Sequence, residues 1–372
     1  MAGTSLNNRV FDRPDSSISS FVDEQVDHSK TELSDIVSLA ERKGATDIHL
    51  APGRPLFFRL NGELVPVTSS CMTDEGVRRL SFAVLNEQQI KRVELNRDAD
   101  FIWSRPGSGR CRINLSYFQG QIGAIIRLLP RNPLPLERLG LPAVVDQFMG
   151  ARKGLILITG STSQGKTTTM ASLIDSVNQR LRKNVITIED PIEYVHTYRH
   201  ANICQRQVGR DTKSFSRGLR AALRQDPDII AIGEMRDYET IKIALTAAAT
   251  GVLVLSTLHI ISIDKMIERL LSYAPDGRDG QIRSLLAEAL VGIVHQELLP
   301  NQTGGKCVAC EVLTATDAVR NLIRNRGTYH LRTIITTGAR HGMQTMKTSL
   351  IALREDGRIS SQTYRTIAIN YP

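Results

Sequence analysis

Uninterrupted apolar runs distinguish the second half of the chain. They occupy residues 156–159, 185–189, 229–232 and 252–256. Such runs are typical of parallel strands that are buried on both faces of a sheet. Helical segments alternate with them, and after about residue 265 the pattern is mostly helical apart from a strand at 307–313. We therefore predict an α/β domain with a parallel-rich central sheet over 143–372, which ends in a helical part.

The first part of the chain shows shorter patterns of mixed type. Helical spacing at 31–43 ends at Gly44, and two further helices are predicted at 74–85 and 86–93. Strands are predicted at 47–50, 56–60, 63–67, 99–103, 110–118 and 122–128. Together these elements predict a small α+β domain over 31–129.

Two segments interrupt this organisation. Residues 1–30 are rich in Ser, Asp and Asn and contain few apolar side chains, which indicates a flexible lead. The prolines between residues 130 and 142 indicate a stiff linker between two domains. A length of 372 residues also suits two domains.

Charge and cysteine usage indicate which binding partners and which cellular compartment suit this chain. Lys+Arg number 47 against 38 Asp+Glu, and the net charge of +9 suits contact with nucleic acid, with an anionic membrane surface, or with solvent alone. Five scattered cysteines indicate a reducing compartment. Cys307 and Cys310 have the spacing of metal ligands, but they would face opposite sides of the predicted strand and lack a second pair, so ordinary buried cysteines are favoured.

Membrane segments are not predicted. The N-terminal residues lack a secretory signal pattern, and no uncharged apolar run approaches the length of about 18 residues that a membrane span needs. Any membrane association is therefore expected to be peripheral.

A glycine-bounded loop that ends in Lys-Thr carries the most specific chemistry. It lies between an apolar run at 155–158 and a helix at 168–180. Backbone N–H groups and the helix dipole at such a junction hold polyphosphate oxygens, while the lysine neutralises the β- and γ-phosphates and the threonine hydroxyl ligates Mg²⁺. The predicted nucleotide-binding residues are Gly160, Ser161, Thr162, Ser163, Gln164, Gly165, Lys166, Thr167 and Thr168. The sequence thus predicts binding of a nucleoside triphosphate.

Polar side chains follow the next three predicted strands. Glu193 lies in an acidic turn after 185–189, Glu234 follows 229–232, and His259 follows 252–256. The carboxyl ends of parallel strands share the sheet edge where ligands bind. A carboxylate there could activate water and a histidine could sense the γ-phosphate, although a solvated turn and a structural histidine are the alternatives. Three arginines lie on a predicted helix at 214–224. They could contact DNA, phosphate or an acidic neighbouring subunit, or they could form a solvated helix face.

The order and wording of these motifs resemble those of the secretion and pilus traffic ATPases, and most of all those of the PilT group of pilus retraction motors. The resemblance covers roughly residues 31–355. It rests on the phosphate loop and on segments 186–196, 226–237 and 256–259, with further similarity at 45–50, 59–64, 321–324 and 342–346.

The resemblance implies a hexameric ring of RecA-like ATPase domains, each preceded by a PAS-like domain. Such a ring binds ATP and Mg²⁺ and works with an inner-membrane platform protein at the cytoplasmic base of an envelope machine. By position, Glu193 is the base for water, Glu234 is the Walker B glutamate near the metal, and His259 belongs to the His box. Arg112 and Arg127 match arginines that reach a nucleotide across a subunit boundary.

Three departures from the family pattern indicate a divergent member. Ser163 replaces a glycine in a loop that usually reads Thr-Gly-Ser-Gly-Lys, which costs strain if the position needs a positive φ. Gly233 stands where an aspartate usually helps to hold Mg²⁺. Val252 stands where the group has the first histidine of its His box, and valine cannot hydrogen-bond to phosphate, so we expect reduced coupling or turnover.

A mechanical ATPase is the leading functional prediction, and the direction of its work is left open. A nucleic-acid translocase is an alternative that the positive charge suits. Aromatic residues make up only 5% and do not interleave with basic ones, so nucleic acid is the less favoured partner. A weakly active regulatory partner of another pilus ATPase is a further alternative, which Val252 motivates.

Overall fold

The computed structural model describes residues 31–104 and 109–371, so the predicted lead at 1–30 lies outside the described part. Internal contacts divide the chain into two units, with the division between Arg131 and Asn132. That division falls inside the segment predicted as a linker. Most of the remaining segment belongs to the second unit, because Leu139 is buried and Leu136 and Leu141 pack against the second unit's core.

The described part of the first unit is a six-stranded antiparallel sheet with three helices, in the strand order β3-β2-β1-β6-β5-β4. The helices are Leu33–Arg42 (α1), Asp74–Phe82 (α2) and Glu87–Asn96 (α3). The strands are Asp47–Leu50 (β1), Phe57–Leu60 (β2), Glu63–Pro66 (β3), Asp98–Ser104 (β4), Arg110–Phe118 (β5) and Gln121–Leu129 (β6). Each of these nine elements was predicted.

Alternation along the strands separates the two faces of this sheet. On β5, Ile113 and Leu115 are fully buried, while Arg112 and Asn114, which alternate with them along the strand, are partly exposed. Because successive side chains of a strand point to opposite faces, the apolar set packs with the helices in one core and the polar set lies on the other face.

The described part of the second unit contains a seven-stranded sheet in the order β13-β12-β7-β11-β10-β8-β9. Its strands are Gly154–Thr159 (β7), Asn184–Glu189 (β8), Asn202–Gln207 (β9), Ile229–Ile232 (β10), Leu253–Leu258 (β11), Leu290–Pro300 (β12) and Lys306–Thr314 (β13). The pairs from β12 to β9 are parallel, and β13 joins antiparallel to β12. This confirms the predicted parallel-rich α/β fold.

Helices cover both faces of the second sheet. They are Ala143–Gln147 (α4), Lys166–Arg180 (α5), Phe215–Ala222 (α6), Tyr238–Thr250 (α7), Ile263–Ser272 (α8), Asp279–Ala289 (α9), Asp317–Arg324 (α10), Leu331–Thr337 (α11), Met346–Glu355 (α12) and Ser361–Ala368 (α13). On β7, Leu155 and Leu157 pack in one core while Ile156 and Ile158 pack in another. Burial on both faces explains why the central strands have uninterrupted apolar runs.

The prediction of a mostly helical chain after residue 265 is wrong for Leu290–Pro300. This strand begins directly after α9, without a glycine or proline at the boundary. Its apolar positions are interrupted by His295, Gln296 and Glu297. It nevertheless pairs with both β7 and β13, so it belongs to the interior of the sheet. Strand β9 also lies where the pattern predicted no element.

Cys307 and Cys310 are buried free cysteines on β13. Among residues 31–104 and 109–371, no helix has both the length and the apolar character to cross a membrane.

Candidate active site

The phosphate loop joins β7 to α5 and has three residues with positive φ. Gly160 has φ 150°, and a Cβ atom there would lie 2.6 Å from the Gln296 carbonyl oxygen. Gly165, with φ 79°, directly precedes α5 and offers no side chain to cap the helix. Ser163 has φ 64° in the left-handed region, so the conditional prediction of strain at this position is confirmed. The loop therefore leaves the first-turn N–H groups of α5 for an anion.

Lys166 is buried at the start of α5. Its Nζ donates hydrogen bonds to the carbonyl oxygens of Gly160, at 2.9 Å, and Ser161, at 2.6 Å. Burial lowers the pKa of Lys166 to about 8, and the nearby charge of Glu234 opposes that shift. The ammonium is thus charged at neutral pH but poorly solvated, and an approaching phosphate would stabilise it.

Glu234 and His259 meet Lys166 at the ends of β10 and β11. His259 Nδ1 lies 3.3 Å from Lys166 Nζ, and His259 Nε2 lies 3.5 Å from Glu234 Oε2. Glu234 Oε2 also lies 2.7 Å from Arg236 Nε. Burial, followed by the charge of Lys166, lowers the pKa of His259, so its ring is neutral at pH 7. Because an ammonium only donates, Nδ1 accepts and the ring proton lies on Nε2, facing the carboxylate.

The acidic turn after β8 is tied to the start of α5. Tyr194 OH lies 2.9 Å from Thr168 Oγ1, and the Tyr194 carbonyl accepts from Gln205 Nε2 at 2.8 Å. Glu193, which precedes this tyrosine, is half-buried. These contacts bring the segment of Glu193 to the first turn of α5, where Thr167 also lies half-buried.

Two buried polar residues of β12 line the back of the phosphate loop, and sequence reasoning missed both. Gln296 Oε1 accepts from Thr169 Oγ1 at 2.9 Å, and His295 Nδ1 lies 3.0 Å from Thr159 Oγ1. Burial, followed by the charge of Lys166, lowers the pKa of His295 to about 4. The available signal was a polar triplet inside an apolar segment, which gains meaning only once β12 is known to pair with β7.

The arginines predicted to act across a subunit boundary lie in the first unit. Arg112 on β5 and Arg127 on β6 are directly paired across these strands. Arg112 donates to Asp100 at 3.3 and 3.2 Å, and Arg127 Nε donates to Asp47 Oδ1 at 2.8 Å. Within its own unit, each arginine therefore has an aspartate partner on the polar side of the sheet.

Val252 lies at the opposite end of β11 from His259. Its carbonyl accepts from the N–H of Gly154, the first residue of β7, at 3.1 Å, and its side chain packs against the core. At about 3.3 Å per residue, an extended segment of this length spans roughly 20 Å. Within its own chain Val252 thus faces away from the phosphate loop. A residue at position 252 is therefore not placed to contact phosphate in its own chain's site, and the predicted reduction of coupling or turnover stays a prediction.

Comparison with known proteins places this geometry in a family. The Type II/IV secretion system protein family matches residues 24–365. The Type IV pilus retractation ATPase PilT of Pseudomonas aeruginosa is 38% identical over 334 residues, which are 90% of this chain and 97% of the relative. The Type IV pilus ATPase PilU of the same organism is 35% identical, over 88% of this chain and 86% of the relative.

Solved structures agree with these sequence relatives. A crystal structure of the pilus retraction motor PilT with bound ADP superposes with a TM-score of 0.82 at 38% identity, covering 90% of this chain and 96% of that one. The Legionella pneumophila ATPase DotB gives a TM-score of 0.82 at 25% identity, covering 94% and 100%. This chain therefore belongs to the Type II/IV secretion system protein family, and within it to the PilT-like ATPases.

Proposed function

We propose that this chain is a subunit of a hexameric motor that hydrolyses ATP to retract a pilus or to drive a related secretion or conjugation machine. It works at the cytoplasmic base of that machine, against an inner-membrane platform protein. One observation carries the proposal: Lys166, Glu234 and His259 converge where three strand ends meet the phosphate loop. The PilT relatives, named for pilus retraction and solved with ADP, support it.

The proposed chemistry follows from this cluster. The triphosphate lies over the first turn of α5, and the Lys166 ammonium turns from the Gly160 and Ser161 carbonyls to the β- and γ-phosphates. Glu193 acts as the base for the attacking water. Because His259 touches both Lys166 and Glu234, it registers whether phosphate competes for the ammonium.

Mg²⁺ fits the oxygen ligands that this site offers. The Thr167 hydroxyl and the Glu234 carboxylate would hold it, and phosphate oxygens and water would complete the shell. Gly233 supplies no side-chain oxygen, so the protein contributes few ligands. When bound, the metal neutralises charge that develops on the phosphates.

Arg112 and Arg127 would supply positive charge to the nucleotide that is bound by a neighbouring subunit. An arginine given in trans makes each site depend on its neighbour, as a ring motor requires. Their aspartate partners would release them when the neighbour binds ATP.

The test is ATP hydrolysis by the full chain and two variants. We expect Lys166→Ala to abolish nucleotide binding and hydrolysis, whereas Glu234→Gln binds ATP without turnover. Lys183→Ala is the matched control, since Lys183 lies before β8 at the opposite sheet edge and its side chain makes a surface ion pair with Asp228 at 2.8 Å. Wild-type rates in both site variants would refute the assignment.

A second assay separates the motor from a nucleic-acid translocase. Anionic lipid vesicles should stimulate ATPase activity, because the motor works at a membrane. A salt-sensitive stimulation by DNA, without a response to vesicles, would favour the translocase instead.

A further inference from the structure

Strand β12 extends past the end of its neighbour β7. The last residue pair between them joins His295 to Thr159. Beyond that pair β7 turns into the phosphate loop, while β12 continues to Pro300. On the β7 side, the next residues of β12 therefore face the loop, while on the other side they stay paired with β13, and the hydrogen-bonding groups on the loop side need other partners.

Two glutamines provide those partners. Gln296 is fully buried; its Nε2 donates to the Gln164 carbonyl at 2.6 Å, and its Oε1 accepts from Thr169 Oγ1 at 2.9 Å. One side-chain amide thus joins the loop to the first turn of α5. In the other direction, the Gln164 Oε1 accepts from the backbone N–H of Leu298 at 2.5 Å. The loop and β12 are tied by bonds from both sides.

The loop needs such ties because its conformation is strained. Ser163, next to Gln164, has a positive φ that costs a residue with a Cβ atom roughly 1–2 kcal/mol. A serine at position 164, as in the usual family pattern, is two bonds shorter than glutamine and would not match its reach to Leu298. Within the phosphate loop, the chain thus departs from the Thr-Gly-Ser-Gly-Lys pattern at two adjacent positions, 163 and 164, and the second departure offsets the first.

We propose that Gln164 and Gln296 are positioning residues that clamp the phosphate loop to β12 in the shape that receives a nucleoside polyphosphate. This Gln164–Gln296 clamp acts through the loop backbone. It rests on the proposed function only in the identity of the ligand, since loop geometry can be measured without nucleotide.

The experiment uses the full chain with Gln164→Met and, separately, Gln296→Met, because methionine keeps the length of the side chain and removes the hydrogen bonds. Gln179→Met is the matched control, since Gln179 is exposed near the far end of α5. We expect both clamp variants to raise the Kd for fluorescent ADP and the KM for ATP about tenfold, as expected for loss of a buried hydrogen bond. The kcat should stay within about threefold, because the groups that act on water are untouched.

Hydrogen exchange of the nucleotide-free proteins provides an independent readout. Amides of residues 160–167 should exchange faster in both clamp variants than in wild type and Gln179→Met. Unchanged exchange and unchanged Kd would overturn the clamp, and so would a fall in kcat at constant KM. If Gln296→Met does not fold, the partly buried Gln164→Met decides. A wild-type protein that binds no ATP would refute the proposed function, while the exchange rates would still decide on the clamp.

A double-mutant cycle with Ser163→Gly tests the link to strain. Glycine removes the cost of the positive φ, so Ser163→Gly/Gln164→Met should recover most of the ADP affinity that Gln164→Met loses. Strictly additive effects would reject the claim that Gln164 offsets the strain at Ser163.

Discussion

The two units hold their charged side chains in different ways. In the first unit, the side chains of Arg112 and Arg127 are 41% and 61% exposed, and each pairs with an aspartate. In the second unit, Lys166 is only 6% exposed and the Glu234 side chain is 14% exposed. The Arg112–Asp100 pair is exposed on both sides and separates at little cost, whereas buried charges, including Asp47 beside Arg127, are fixed in place. The first unit therefore carries, at Arg112, charge that is free to move to another molecule, while the second holds its charges fixed where we propose that phosphate binds.

The largest expected effect tests the transferable charge. Arg112→Ala should reduce ATP hydrolysis at least about 100-fold, because an arginine given in trans contributes about 10³–10⁵ to such reactions. Thermal stability should hardly change, since the lost pair with Asp100 is exposed. Arg78→Ala is the matched control: it breaks an equally exposed pair with Glu94 in the same unit, at 46% and 47% side-chain exposure.

Mixing subunits shows whether Arg112 acts in trans. A mixture of Arg112→Ala and Lys166→Ala proteins should regain activity, since some sites combine an intact lysine with an intact arginine from the neighbour. No recovery in a mixture that demonstrably exchanges subunits would contradict action across a boundary. Arg127 is a poorer probe, because its removal takes away the 2.8 Å ion pair of the largely buried Asp47 and leaves it the Thr46 hydroxyl at 2.8 Å and the more distant Arg59 at 3.9 Å.

The next effect concerns a buried group of the second unit, His295. Its pKa is about 4 in the folded protein against an ordinary 6.5, so the unfolded chain binds the proton more readily. The associated stability is complete above pH 6.5 and is lost as the pH falls towards 4. Between pH 7.5 and 5 this should cost wild type about 2 kcal/mol more than it costs His295→Gln.

Urea unfolding of both proteins at the two pH values measures this difference. Subtracting the variant removes the effects of groups that do not neighbour His295; its cross-strand neighbour Glu311, whose pKa burial raises to about 7, acts in the opposite direction. Equal losses of unfolding free energy would show that His295 is solvated or titrates normally.

A smaller effect concerns Lys166 itself. Its pKa of about 8 without nucleotide should rise when a phosphate binds, so above pH 8 binding must take up a proton. ADP affinity should therefore fall by up to about tenfold per pH unit above 8. Calorimetric titrations at pH 7, 8 and 9, in buffers with different ionisation heats, measure both affinity and proton uptake. A constant affinity up to pH 9 would mean that the lysine is better solvated than the structure shows.

The sequence was sufficient to predict how the central strands present Lys166, Glu234 and His259. Each follows a continuous apolar run, and parallel strands bring their carboxyl ends to one edge. It was insufficient for β12, because that strand follows a helix directly and carries polar residues whose partners lie on β7 and in the loop. The pairing of Arg127 with Asp47 was equally hidden, since it depends on the register between two strands distant in the chain.

Substitution of Val252 has the smallest expected effect, and it tests whether the position of a residue along a strand decides if it can reach the phosphate loop. Family likeness suggested that a valine here would impair phosphate contact, but β11 places it at the far end from His259. Val252→His should therefore leave the kcat for ATP within about twofold, and any cost should appear as lower stability, because the imidazole replaces an apolar contact with the core. The matched change Val195→His, at a side chain that is 45% exposed, should cost less stability. A several-fold gain in turnover from Val252→His would mean that this end of β11 serves a nucleotide bound by another subunit, so that β11 carries chemistry at both of its ends.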